Sequence, residues 1–162
     1  NLDFQINGNY VKDLSTVGAT GLVSQFDGVT GNAGSITNIL GVPRWKADAV
    51  VTFSRPSWSF SAHGRYIPRG KLDSTKIGPE DAGYDVNSPL SISTNRIDAR
   101  FYLDLSARIK VRDANGEEKF ELFGAVNNVM DKGEPKQLRL FGNALHFDPV
   151  GRNFKIGVRA KM

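Results

Sequence analysis

Ile97-Asp-Ala-Arg-Phe-Tyr-Leu-Asp-Leu-Ser-Ala-Arg-Ile-Lys-Val-Arg112 is the stretch that decides the fold. Every second residue is apolar: Ile97, Ala99, Phe101, Leu103, Leu105, Ala107, Ile109 and Val111. Between them stand Asp98, Arg100, Asp104, Ser106, Arg108, Lys110 and Arg112, with only Tyr102 ambiguous. A period of two held over about fifteen residues marks a β-strand, whose side chains point to opposite faces in turn. It exceeds the usual strand length of about 5–6 residues. Asp113-Ala-Asn-Gly116 follows as a hairpin turn, where Asn-Gly supplies the positive φ that a tight reversal needs. The alternation restarts at Phe120, Leu122, Gly124 and Val126, and again at Phe154, Ile156, Val158, Ala160 and Met162. The pattern predicts long antiparallel strands, greasy on one face and charged on the other.

Working outward, Leu2, Phe4, Ile6, Gly8 and Tyr10 alternate with Asp3, Gln5, Asn7 and Asn9 as a first strand. A second follows Pro43, with Trp45, Ala47, Ala49, Val51 and Phe53 on one face. Proline is tolerated there because the first residue of a strand can forgo its N–H. Arg55-Pro56-Ser57 turns the chain into a third strand, with Trp58, Phe60, Ala62, Gly64 and Tyr66 on one face. The fourth is the 97–112 stretch, the fifth runs from Lys119 to about Asn128, and the sixth from Gly151 to Met162. No stretch calls for a helix. Three long polar segments, 13–42, 69–96 and 129–150, separate these strands, the first with room for a short hairpin. Connections of that length are uncommon and usually functional or disordered.

The 162 residues correspond to one domain, 40% of them hydrophobic and none of them cysteine, which excludes disulfides and thiolate metal sites. No apolar run approaches the roughly 20 residues of a membrane helix. Membrane barrels leave a weaker trace and stay open. The net charge of +4 is spread over strand faces and mixed with acids, so no nucleic-acid partner is expected. The chain begins Asn-Leu-Asp-Phe inside a strand pattern and reads as a piece of a longer one.

The connections run long, short, long, short, long, which puts the short turns at one end of an antiparallel sheet and the long loops at the other. That asymmetry marks outer-membrane barrels. Trp45 and Phe53 bracket the apolar face of the second strand, and Trp58 and Tyr66 that of the third. Eight residues at about 3.3 Å rise span roughly 26 Å, close to the apolar band between aromatic girdles. The competing reading is a soluble all-β ligand-binding module, a small barrel or sandwich, with the Trp/Phe face turned inward. An enzyme comes third, and no catalytic residues are assigned.

The last three strands carry a family resemblance. Phe101-Tyr-Leu-Asp-Leu-Ser-Ala-Arg108, Phe120-Glu-Leu-Phe-Gly-Ala-Val-Asn-Asn-Val-Met-Asp131 with Pro135, and Phe147-Asp-Pro-Val-Gly-Arg152 with the strand behind it resemble the C-terminal end of TonB-dependent outer-membrane receptors. Pro43-Arg-Trp-Lys46 and Gly64-Arg-Tyr66 are similar to strand starts and ends of that family. Met162 stands where the family usually ends in an aromatic residue. The resemblance implies a barrel of about 22 strands with a plugged lumen, of which about six lie in this chain. It also implies an N-terminal plug and the segment engaging the TonB complex, neither within residues 1–162. Outer-membrane lipid, the rest of the barrel and a small nutrient ligand would be the other partners. A siderophore–iron complex, cobalamin and an oligosaccharide stay open as ligands, with specificity expected in 13–42, 69–96 and 129–148.

His63, on a polar strand face, and His146, in the last loop, lack carboxylates at ligand spacing, so neither is assigned to a metal and no cofactor is expected. His63 is expected to hydrogen-bond on the lumen side. Asp98, Arg100, Asp104, Arg108, Lys110, Lys119, Glu121, Lys155, Arg159 and Lys161 share the charged face. They are expected to pair across strands as a lumen wall. The glycines of Gly18-Ala-Thr-Gly21 and Gly28-Val-Thr-Gly31 lack a phosphate-loop lysine and read as loop glycines. Asn128 and Asp131 are expected to shape the exit from the fifth strand through side-chain bonds to nearby backbone.

Overall fold

The computed structural model describes residues 1–21, 23–31, 41–138 and 146–160. It is all-β, with strands β1 (Leu2–Tyr10), β2 (Ser15–Val17), β3 (Val23–Gln25), β4 (Trp45–Ser54), β5 (Trp58–Ile67), β6 (Gly70–Lys71), β7 (Arg96–Ile97), β8 (Arg100–Arg112), β9 (Glu118–Asn127) and β10 (Asn153–Ala160). One 3-10 turn, Lys136–Leu138, is added. Six strands form one antiparallel sheet in the order β1-β4-β5-β8-β9-β10, so each pairs with its neighbours in the chain. Two small hairpins, β2-β3 and β6-β7, sit in the long connections.

The register aligns the sequence alternation across the whole sheet. Leu2 stands opposite Phe53, Phe53 opposite Phe60, Phe60 opposite Ala107, and Ala107 opposite Gly124, itself opposite Ile156. One slip of a single residue would turn a strand's apolar set to the other face. The six strands therefore build one continuous apolar face and one continuous polar face.

The short turns lie at one sheet end. Arg55 N–H donates to the Trp58 carbonyl at 2.8 Å. At the other turn Gly116 takes φ +83°, the Asp113 carboxylate accepts from the Asn115 and Glu117 N–H groups, and a bulge between Val111 and Arg112 absorbs the extra residue. All three long connections leave from the opposite end.

No element packs over the apolar face among the described residues. Trp45 and Trp58 are each 42% exposed, Phe101 43%, Phe154 73% and Ile156 92%. The buried apolar cluster lies at the loop end instead, made of Ile67, Leu72, Ile97, Tyr102, Leu138 and Phe147, with Ile92 against it.

Ile97 thus departs from the pattern that announced it. The alternation places it on the outer face of an unbroken strand, but the strand begins at Arg100. Ile97 pairs with Gly70 in a separate ribbon and is fully buried. A break at Asp98-Ala99 lets the isoleucine turn into the loop cluster, where it gains apolar neighbours that the open face does not offer. Tyr102, ambiguous in the sequence, is also fully buried, on the polar side.

The long connections are not structureless. Gly31 and Gly70 let the first two pack closely, and Gly41 lets the first fold back on itself: a Cβ on Gly31 would stand 2.7 Å from the Leu72 carbonyl oxygen, and one on Gly41 2.3 Å from that of Val29. Ile97→Ala is expected to cost about 2–5 kcal/mol, read by chemical denaturation. A loss below about 0.5 kcal/mol, the range of uncrowded surface sites, would return Ile97 to the open face.

Candidate functional site

The polar face carries a chain of side-chain contacts that crosses four strands, β1, β4, β5 and β8, and reaches the residue just past β9. Asn7 donates to Asp48 at 3.0 Å. His63 lies between two carboxylates, 3.8 Å from Asp48 and 3.8 Å from Asp104. Asp104 also pairs with Arg65 at 3.2 Å and accepts from the Asn128 N–H at 2.7 Å. The Arg65 guanidinium lies 5.3 Å from the centre of the Tyr102 ring. These contacts exist because period-two alternation and register bring Asp48 opposite Arg65, and His63 opposite Asp104.

Toward the turn end the same face carries Arg159–Glu121 at 3.5 Å, Lys110–Glu118 at 3.6 Å and Lys119–Asp113 at 3.2 Å. Arg100, near the loops, instead donates to the Gly133 carbonyl at 3.1 Å. Asp98 lies outside the sheet strands and meets Arg96 at 3.7 Å. Arg108 and Lys155 meet no partner among the described residues, and Lys161, like Met162, lies outside them. In each pair the cation is exposed while the carboxylate of Glu121, Glu118 or Asp113 is largely covered.

Where β9 meets the third long connection, Asn128 and Asp131 both take positive φ, 51° and 52°. Asn128, fully buried, donates to the Lys132 carbonyl and to Asp148, and accepts from the Lys132 N–H. The Asp148 N–H in turn donates to the Tyr102 hydroxyl at 3.1 Å. Asp131 accepts from the Arg152 N–H at 3.0 Å, closing the loop back on the start of β10. The expected role of both residues is met by these bonds.

Above the sheet the first two connections interlock. Thr30 N–H donates to the Lys71 carbonyl at 3.0 Å, and Lys71 N–H to that of Gly28 at 2.9 Å. His146 is no isolated loop histidine: its Nε2 is 2.8 Å from the Gly41 carbonyl, which makes that nitrogen the proton donor. Asp27, its side chain 3% exposed, meets Arg44 at 2.5 Å. The Arg44 guanidinium holds the Asp27 carboxyl below the ordinary carboxylate value, against the opposing effect of burial. Lys71 does the same for Asp81 at 2.8 Å.

Between these two connections opens a cleft of about 1410 Å3, lined by Asp27, Arg44, Arg69, Lys71, Glu80 and Asp81 among others. Its mixed charge suits a polar ligand with both donors and acceptors. Part of the first and third connections, residues 32–40 and 139–145, lies outside the described residues. Among the described residues no group of three or more histidine and acidic side chains could hold a metal. Gly21 and Gly28, both at φ 78°, serve as turn glycines, in keeping with their reading as loop residues. The Asp27–Arg44 pair had no signal in the sequence, because both residues sit in irregular segments.

Compared with known proteins, the chain matches no family model, no curated protein and no solved structure.

A depressed folded pKa gives Asp27 a stabilising contribution that is full above its unfolded value of about 3.9 and is lost as pH falls through the folded value. Limited proteolysis within 11–44 is therefore expected to accelerate below about pH 4, and Asp27→Asn to flatten that dependence. Asn128→Ala is expected to cost about 1–3 kcal/mol by orphaning buried backbone groups. Thermal denaturation reads it, and an unchanged midpoint would refute the anchoring role.

Proposed function

We propose that residues 1–162 form part of the wall of a large outer-membrane β-barrel, the C-terminal portion of a TonB-dependent receptor for energy-coupled uptake of a scarce nutrient. The observation that carries this reading is the uncovered apolar face with aromatic rings at both ends. Tyr10, Trp45, Tyr66 and Phe101 stand in neighbouring rows at the loop end, with the Trp45 and Tyr66 rings 5.3 Å apart. Phe53 and Trp58 stand at the turn end, also 5.3 Å apart. Between them run the rows Ile6-Ala49-Gly64-Leu103 and Phe4-Val51-Ala62-Leu105-Val126-Phe154, apolar throughout. Aromatic rings favour a boundary where one side is apolar and the other wet.

Three further features support the wall. Ion pairs furnish the opposite face, as water in a lumen would require. Short turns and long loops segregate to opposite ends. Among the described residues β1 and β10 both present unpaired edges, which an open soluble sheet would have to protect and a larger barrel closes with further strands. The soluble alternative needs Trp45, Trp58, Phe101 and Phe154 packed into one core, and their exposure leaves that requirement unmet among the described residues.

In this reading the wall performs no bond-making chemistry. The loops, and the charged cleft between the first two, capture the ligand outside the cell; a plug elsewhere in the polypeptide is displaced by energy from the inner membrane through the TonB complex. A siderophore–iron complex, cobalamin and an oligosaccharide stay open as the ligand.

Leu105→Arg tests the reading. At mid-height of a lipid-facing surface it is expected to cost about 2–4 kcal/mol and to reduce the assembled, heat-modifiable form in outer-membrane fractions. Ser106→Arg, one residue away on the polar face, is expected to assemble normally. Equal assembly of both variants would contradict a lipid-facing sheet.

A further inference from the structure

We propose that Arg108, Phe123 and Lys155 form a docking point on the polar face for an acidic segment of polypeptide inside the barrel; this rests on the wall reading above. Phe123 breaks the rule that its own strand obeys. It lies at a polar-face position, opposite Arg108 on β8 and Gly157 on β10, yet it carries a phenyl ring. The ring leans into the space that Gly157 leaves: a Cβ built there would stand 2.3 Å from the tip of the phenyl group. It remains 36% exposed. The other aromatic on the polar face of the sheet, Tyr102, is fully buried under the loops.

The charges beside Phe123 are as unusual as the ring. Arg65, Lys110 and Arg159 each meet a carboxylate, and Arg100 and Arg112 each meet a backbone carbonyl. Arg108 and Lys155 flank Phe123 and meet none among the described residues. Lys46 is likewise without a partner there, but no ring accompanies it. An exposed ring between two uncompensated cations matches a segment that brings a carboxylate together with an apolar side chain. The carboxylate would neutralise the cations and the apolar group would cover the ring. Burying the rest of a phenyl group adds about 25 cal/mol for each Å2 removed from water. A small anion would satisfy the charges and leave the ring wet, which favours a polypeptide occupant.

The test is photo-crosslinking from a benzophenone amino acid at position 123, in the full-length polypeptide within outer membranes, with the same probe at position 156 as reference. The expected result is an adduct from position 123 to an Asp/Glu-bearing segment outside residues 1–162, and lipid adducts from position 156. Arg108→Glu with Lys155→Glu is expected to lower the position-123 adduct at least tenfold. Should that variant fail to assemble, raising salt to about 0.5 M on the unsubstituted protein should lower it too, by screening. Lipid adducts at 156 with no polypeptide adduct at 123, with one insensitive to salt and charge reversal, or with one to a second copy of residues 1–162, would overturn the docking point and leave the wall standing. Lipid adducts from position 123 would overturn both.

Discussion

A sheet whose greasy side is left uncovered by every other described residue is the constraint that everything else follows from. In water such a surface is costly, at about 25 cal/mol for each Å2 of apolar area left uncovered. Globular sheets answer it with a helix layer or a second sheet. Here the loops build their own small core around Ile97, Tyr102 and Leu138, at one end and on the polar side, and leave the broad face untouched. The surrounding medium must then supply what the chain does not. In the proposed reading that medium is lipid, matched to the height of the face and its aromatic borders.

The polar side follows from the same constraint. A face turned to water can carry charge, and the side chains there settle into cross-strand contacts through Asp48, His63, Arg65 and Asp104. That layer is joined to the loops at one place. Asn128 links Asp104 on β8 to Lys132 and Asp148 in the third connection, and Asp148 reaches back to the Tyr102 hydroxyl. The loop framework that borders the charged cleft and the sheet beneath it thus share part-buried hydrogen bonds. The close approaches at Gly31 and Gly70 then tie the first connection to the second.

The strands and the two faces were legible because alternation is a local signal that survives any register that keeps the faces. Turn chemistry was legible at Gly116, and the exit residues Asn128 and Asp131 were legible from their side-chain habits. Ile97 misled because a residue at the end of a strand keeps its parity whether the strand continues or breaks; only the apolar cluster under the loops decides which. Tyr102 and Phe123 carried a readable signal, an aromatic residue at a polar position, but its meaning depended on neighbours far along the chain. Asp27 and Arg44, and His146 with Gly41, were beyond reach, since irregular segments offer no period from which contact can be inferred.

The most direct test uses the protein's two tryptophans, Trp45 and Trp58, as depth gauges in bilayers whose acyl chains carry bromine at defined positions. A lipid-facing sheet predicts that both are quenched most by bromines near the headgroups, and that a tryptophan placed by Leu105→Trp, with Trp45→Phe and Trp58→Phe, is quenched most near the bilayer centre. Indifference of all three to brominated lipid, with quenching by aqueous iodide alone, would contradict it.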